Sequence, residues 1–268
     1  MAIMRVTNKF LKFSKRQKFV LAVGALSVGI FLAEFLKGIN FIFVAVALAF
    51  LTNIFQFIIL RRDIQKTFFY PLFILPFLYT LAFNLFFLLI PSRLVSRFIL
   101  TGLFAFGLYS LYLAQNIFAV SALRTINLLR SARIVSFVVS ILVMFFLVNI
   151  IFSFRLEFFA LPLIIFVLTF LLSFQSLWVY ALDKSLIPTV FFFSLFTAIS
   201  IMQLALVLTI WPVTAAIYSL FITGIFYTYS GLSQSWIEKR LFKGVLWEYI
   251  WVGFLSIFFL IVFSKWGI

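Results

Sequence analysis

The stretch Ile39-Asn-Phe-Ile-Phe-Val-Ala-Val-Ala-Leu-Ala-Phe-Leu-Thr-Asn-Ile-Phe-Gln-Phe-Ile-Ile-Leu60 decides the fold: it carries no charge from 39 to 60 and ends abruptly at Arg61-Arg62-Asp63. About 20 apolar residues, rising 1.5 Å each as a helix, cross the hydrocarbon core of a bilayer. Lipid offers nothing for a bare N–H or C=O to bond, so a continuous apolar run of this length reads as a membrane-spanning helix.

Working outward, the same ruler fits the rest of the chain. On the N-terminal side, residues 1–18 hold Arg5, Lys9, Lys12, Lys15, Arg16 and Lys18 without an acid, and an apolar run follows over 19–36. A basic start and apolar middle resemble a signal peptide, but another apolar segment follows at once without a convincing cleavage site, so the reading is an uncleaved signal anchor. Beyond Leu60, further spans are expected at 68–90, 98–120, 134–154, 158–182, 187–210, 212–229 and 248–264. The total is about nine. Eight or ten remain open, because the joints at Ile210-Trp211-Pro212 and Arg155-Leu156-Glu157 are short. Long unbroken runs disfavour a barrel, whose strands alternate over about ten residues. The expected fold is an all-α polytopic bundle: a basic arm over 1–18, then one transmembrane domain over 19–268.

Composition agrees. Of 268 residues, 66% are hydrophobic and 10% charged, and the mean hydropathy is +1.28, whereas soluble domains are about half apolar and a quarter charged. The 42 phenylalanines suit lipid-facing helices, although codon bias explains them as well. The net charge of +15 would suggest nucleic acid in a soluble domain. Here the basic residues sit at span ends, so topology explains them and no nucleic-acid partner is expected.

Orientation follows from those charges, because cytoplasmic loops are enriched in lysine and arginine. With nine spans and the N-terminus inside, the cytoplasmic side receives the six N-terminal charges, Arg61, Arg62, Lys66, Arg124, Arg130, Arg133, Lys184, Lys239, Arg240 and Lys243. The other side receives Lys37, Arg93, Arg97, Arg155 and Lys265. Sixteen basic residues against five, accounting for all 21, point to a prokaryotic plasma membrane with the N-terminus in the cytoplasm. Trp178, Trp236, Trp247 and Trp251 would mark the inner interface, and Trp211 and Trp266 the outer one.

The candidate polar path consists of side chains that hydrocarbon penalises, Glu34, Asn53, Gln56, Asn84, Asn116 and Gln203; Gln115, Asn149 and Gln175 are further amides, and all the amides lie at mid-membrane or intermediate depth. An amide facing lipid is unsatisfied, so these should point into the bundle, as interhelical glue or as the lining of a route. Glu34 is an intramembrane acid suited to proton or cation coupling, or an ion pair with Lys37. Pro71 and Pro76 lie in the third span and Pro162 begins the sixth; each is a hinge or an ordinary kink.

Candidate phosphate or headgroup ligands are Arg93 and Arg97, four apart at a helix start, and Arg124, Arg130 and Arg133 in the 121–133 loop. That loop and the 236–247 stretch read as helices lying in the interface, facing anionic headgroups or a cytoplasmic protein partner. A short repeat, Asn53-Ile-Phe55 with Leu60-Arg61 and Asn116-Ile-Phe118 with Leu123-Arg124, has the look of a duplicated hairpin but is within the reach of chance in so biased a chain.

Absences narrow the chemistry. Without cysteine or histidine there are no disulfides, thiol nucleophiles or imidazole metal ligands. No G-x-S-x-G elbow, H-E-x-x-H, phosphate loop or dinucleotide-binding glycine pattern occurs, and six acids in all leave few metal ligands. No cofactor is expected and the reading leans away from an enzyme. Three functions remain: a transport or lipid-handling protein, or the membrane subunit of one; a non-catalytic scaffold or accessory subunit; and an enzyme acting on a lipid-linked substrate.

Because the chain lacks cysteine, an introduced one is unique. Lys66→Cys should react with a membrane-impermeant thiol reagent only from the side holding the N-terminus, and Lys37→Cys only from the other. Labelling of both from one side would remove the second span.

Overall fold

The computed structural model of the chain describes residues 14–33, 35, 39–61, 63, 69–90, 94–121, 128–181 and 186–264. Among them, nine helices are long and apolar enough to cross a membrane, and there is no strand. They are α1 (Lys15–Ala33), α2 (Ile39–Leu60), α3 (Pro71–Phe86, extended by a 3-10 turn at Phe87–Leu89), α4 (Leu94–Ser121), α5 (Leu129–Ser153), α6 (Ala160–Trp178), α7 (Ile187–Leu208), α8 (Ala215–Ile237) and α9 (Lys243–Val262). The chain is an all-α polytopic bundle.

Two local expectations change. The 121–133 loop is not an interfacial helix throughout: α4 reaches Ser121 and α5 already begins at Leu129, which places Arg130 and Arg133 in its first turns. The 236–247 stretch is likewise the end of α8, a turn, and the start of α9. In both places a helix already running continues past the apolar stretch, because its backbone bonds remain satisfied beyond the hydrocarbon. Pro71 opens α3, where no backbone donor is needed, whereas Pro76 lies inside it.

By internal contacts the described chain forms two compact units, divided within α3, before Pro76, and in the first turn of α5, after Ala132. The first unit holds α1, α2, the rest of α3 and α4. Helices in lipid gain little from the hydrophobic effect, so close approach and cross-helix hydrogen bonds hold them together. Gly29 of α1 lies beneath Leu48 of α2, while Phe19 meets Tyr112 of α4 at a ring distance of 5.5 Å. Tyr79 of α3 stacks on Phe104 of α4 at 5.6 Å and donates to the carbonyls of Leu103 and Phe104 at 3.3 and 3.2 Å. Its hydroxyl fits there because residue 107 is glycine; any Cβ at that site would overlap the phenol.

The second unit holds α5 from Arg133 onward, α6 to α9 and residues 70–75. Helix α6 packs on α7, α8 on α9, and α8 also meets α6 and α7. Tyr218 of α8 stacks on Phe152 of α5 at 4.2 Å and donates to the Ala205 carbonyl of α7. Gly224 admits Ser256 of α9 in the same way that Gly107 admits Tyr79. Thr214 caps the N-terminus of α8, so the joint after Trp211-Pro212 is a true linker.

Gly107→Ala should cost about 1–3 kcal/mol, the usual penalty of overpacking, and lower the melting temperature in detergent. Gly102→Ala, five residues earlier where nothing lies within 4 Å, should leave it unchanged or raise it. Equal effects at both sites would refute the Tyr79 contact.

Candidate functional site

The first unit carries a buried polar tract along α2, α3 and α4. Its node is Thr52 of α2 and Thr80 of α3, whose hydroxyls lie 2.9 Å apart. Each is also within bonding distance of the carbonyl four residues back, Leu48 at 2.9 Å and Pro76 at 3.0 Å. Tyr112 of α4 donates to the Thr52 carbonyl at 2.8 Å, which fixes the register of α4 against α2. One turn further along α3, Asn84 donates to the Thr80 carbonyl at 2.8 Å, and its Oδ1 has no partner within the protein.

Continuing the other way by helical geometry, Gln56 lies four residues beyond Thr52 and Gln115 three residues beyond Tyr112, at similar depth on parallel helices. Both are wholly buried. Among the described residues, Gln115 finds no partner for either its Nε2 or its Oε1. Asn53 and Asn116, the paired positions of the short repeat, are half-buried with the Oδ1 of each also unpartnered.

Four of the six residues of the anticipated path, Asn53, Gln56, Asn84 and Asn116, therefore fall on α2 to α4. Gln203 does not join them: it lies exposed on α7, in the other unit. Glu34 and Lys37 lie outside the described residues, as do Arg93 and Arg124. Arg97 sets its guanidinium over the Phe35 ring at 4.7 Å, and Arg130 is exposed.

Arg133 makes its contacts within the protein. Its Nη1 donates to Glu238 Oε1 at 2.7 Å and its Nε to the Val179 carbonyl at 3.2 Å. The guanidinium plane covers the Tyr180 ring at 4.7 Å. These contacts tie the start of α5 to the ends of α6 and α8. Burial pushes the Tyr180 phenol up to about 12, helped by the Glu238 carboxylate and opposed by Arg133, so it stays protonated at physiological pH.

Below this lock runs a second tract that the sequence did not single out. Gln234 of α8 donates to Ser176 of α6 at 2.6 Å, and Gln175 to Ser136 of α5 at 3.1 Å. Three residues before Ser176 and four before Gln234, at a common depth, stand Ser173 and Ser230. Both are wholly buried and neither hydroxyl has a partner within the protein. A serine in an apolar helix usually bonds its own backbone and says nothing about its neighbours, so only the assembled fold shows that these two hydroxyls stay unpartnered among the described residues.

The fold and these tracts define a class: a multi-pass, all-α membrane protein whose buried polar groups lie between helices. Within that class the chain belongs to the family described as protein of unknown function (DUF5656), which it matches over residues 40–263, from the start of α2 to the end of α9. Neither a curated protein nor a solved structure matches it.

A double-mutant cycle of Arg133→Ala and Glu238→Ala, read by unfolding in detergent, should return a coupling on the order of 1–3 kcal/mol, as for charged pairs sharing a network. Arg133→Lys should recover little of it, because an ammonium cannot make the forked contact. A coupling near zero would make the pair a surface ornament.

Proposed function

We propose that the protein is a transport or lipid-handling membrane protein, or the membrane subunit of one, in a prokaryotic plasma membrane with its N-terminus in the cytoplasm. The orientation rests on the sixteen-to-five distribution of basic residues, and anionic headgroups are the expected partners of its inner face. The tract along α2, α3 and α4 is its route for a polar group.

One observation carries this reading: Gln115, wholly buried in a span, leaves both ends of its amide unpartnered within the protein. Such a group costs about 1–3 kcal/mol for each unmet bond. A scaffold gains nothing from that cost, whereas a passing solute or headgroup would find there a donor and an acceptor together. Asn84 Oδ1, toward the other end of the tract, extends the series.

The test is reconstitution of the full chain into liposomes, with cation flux followed by potential-sensitive dyes and lipid movement by reduction of a fluorescent phospholipid. Wild type should exceed protein-free liposomes in one assay. Gln115→Met should lose most of that rate while melting at the same or a higher temperature, since it removes an unsatisfied amide. No activity in either assay, or an unimpaired Gln115→Met, would end the proposal in favour of a scaffold.

A further inference from the structure

Where α8 leaves its span, a cavity of about 610 Å³ opens between the first turn of α7 and the turn that follows α8. It lies wholly within the second unit and is separate from the tract of α2 to α4. Its lining mixes apolar Leu186, Trp236, Ile237 and Leu241 with polar Thr189 and Lys239. A cavity of this size suits one small amphiphile.

Lys239 is held there at a conformational cost. The turn closes as Lys239 N–H donates to the Trp236 carbonyl at 3.0 Å and Arg240 N–H to the Ser235 carbonyl at 2.9 Å, the pattern whose left-handed residue is usually glycine. Lysine occupies it instead, with φ at 56°. Among the described residues its ammonium has no carboxylate partner, because the neighbouring Glu238 is engaged by Arg133 at 2.7 Å and by Arg240 at 3.9 Å. Trp236 forms a firm wall, its ring against Phe193 of α7 at 5.0 Å, and tryptophan favours the depth where headgroups meet acyl chains.

We infer that this cavity binds one anionic phospholipid, with the headgroup phosphate on Lys239 and Thr189 and the upper acyl carbons along Trp236, Ile237 and Leu241. An unpaired ammonium beside apolar walls at the end of a span matches a negatively charged amphiphile. A zwitterionic lipid would place its own cation against Lys239.

The full chain is reconstituted in phosphatidylcholine bilayers with a minor fraction of brominated phosphatidylglycerol or brominated phosphatidylcholine, and tryptophan quenching is read. The brominated phosphatidylglycerol should quench more strongly, and Trp236→Phe should remove the difference. Lys239→Gln should weaken the preference about fivefold, the factor one basic residue contributes beside anionic lipid. Lys239→Gly should weaken it equally while melting no lower than wild type, since glycine relieves the left-handed turn. Lys243→Gln, in the first turn of α9 and outside the cavity lining, should keep the preference. Several results would overturn the site: no preference in wild type, retention in Lys239→Gln, an equal loss in Lys243→Gln, or persistence in Trp236→Phe. Abolition of the preference by inorganic phosphate would assign the cavity to a free anion and also refute a lipid.

Discussion

In hydrocarbon a polar group must find its partner inside the protein, and the organisation of this chain follows from that demand. Helices meet it for the backbone. Hydroxyl side chains meet it nearly alone: Ser110, Ser140, Ser153 and Ser194 each donate to the carbonyl four residues back, so many can sit in apolar spans at little cost. Amides cannot satisfy themselves this way. Asn84 bonds one N–H on its own helix and leaves its oxygen unmet, so the amides are where polarity must be shared between helices or offered to something else.

Three tyrosines turn the same demand into fastening. Tyr79, Tyr112 and Tyr218 are all buried, and each donates a hydrogen bond from its hydroxyl to a backbone carbonyl on a neighbouring helix: at Leu103 and Phe104, at Thr52, and at Ala205. A rigid ring long enough to cross between helices delivers a directional bond where lipid supplies no hydrophobic drive between spans. Glycine or alanine opposite the ring decides whether it fits, as Gly107 does for Tyr79. Position and bond are thus inseparable, and each unit is locked in register by a few such pairs.

Charge is used sparingly and at the ends. Arg133 and Glu238 close one end of the second unit with a single ion pair, a carbonyl bond and a ring face. This geometry lets a half-buried ion pair offset its desolvation. A few residues on, Lys239 is left in a left-handed turn without a carboxylate among the described residues. The contrast separates a cation that braces the fold from one that is offered outward.

The spans were legible in the sequence alone, because an uncharged run such as 39–60 has only one stable backbone in lipid, and the amides of α2, α3 and α4 stood out because apolar helices hold so few. The helix end at Ile237 ran past the apolar stretch expected to stop at 229, since backbone bonding, rather than hydropathy, sets where a helix stops. Sequence put Gln203 on the polar path and left Gln115 off it, yet Gln203 is exposed and Gln115 wholly buried: the face a residue takes depends on which neighbour its helix meets. Partnership across distance, as in Arg133 with Glu238 or Gln234 with Ser176, leaves no local trace, so tertiary packing alone decided it. Hydropathy determined that this chain lives in a bilayer; which of its polar groups met each other was a matter of three-dimensional register.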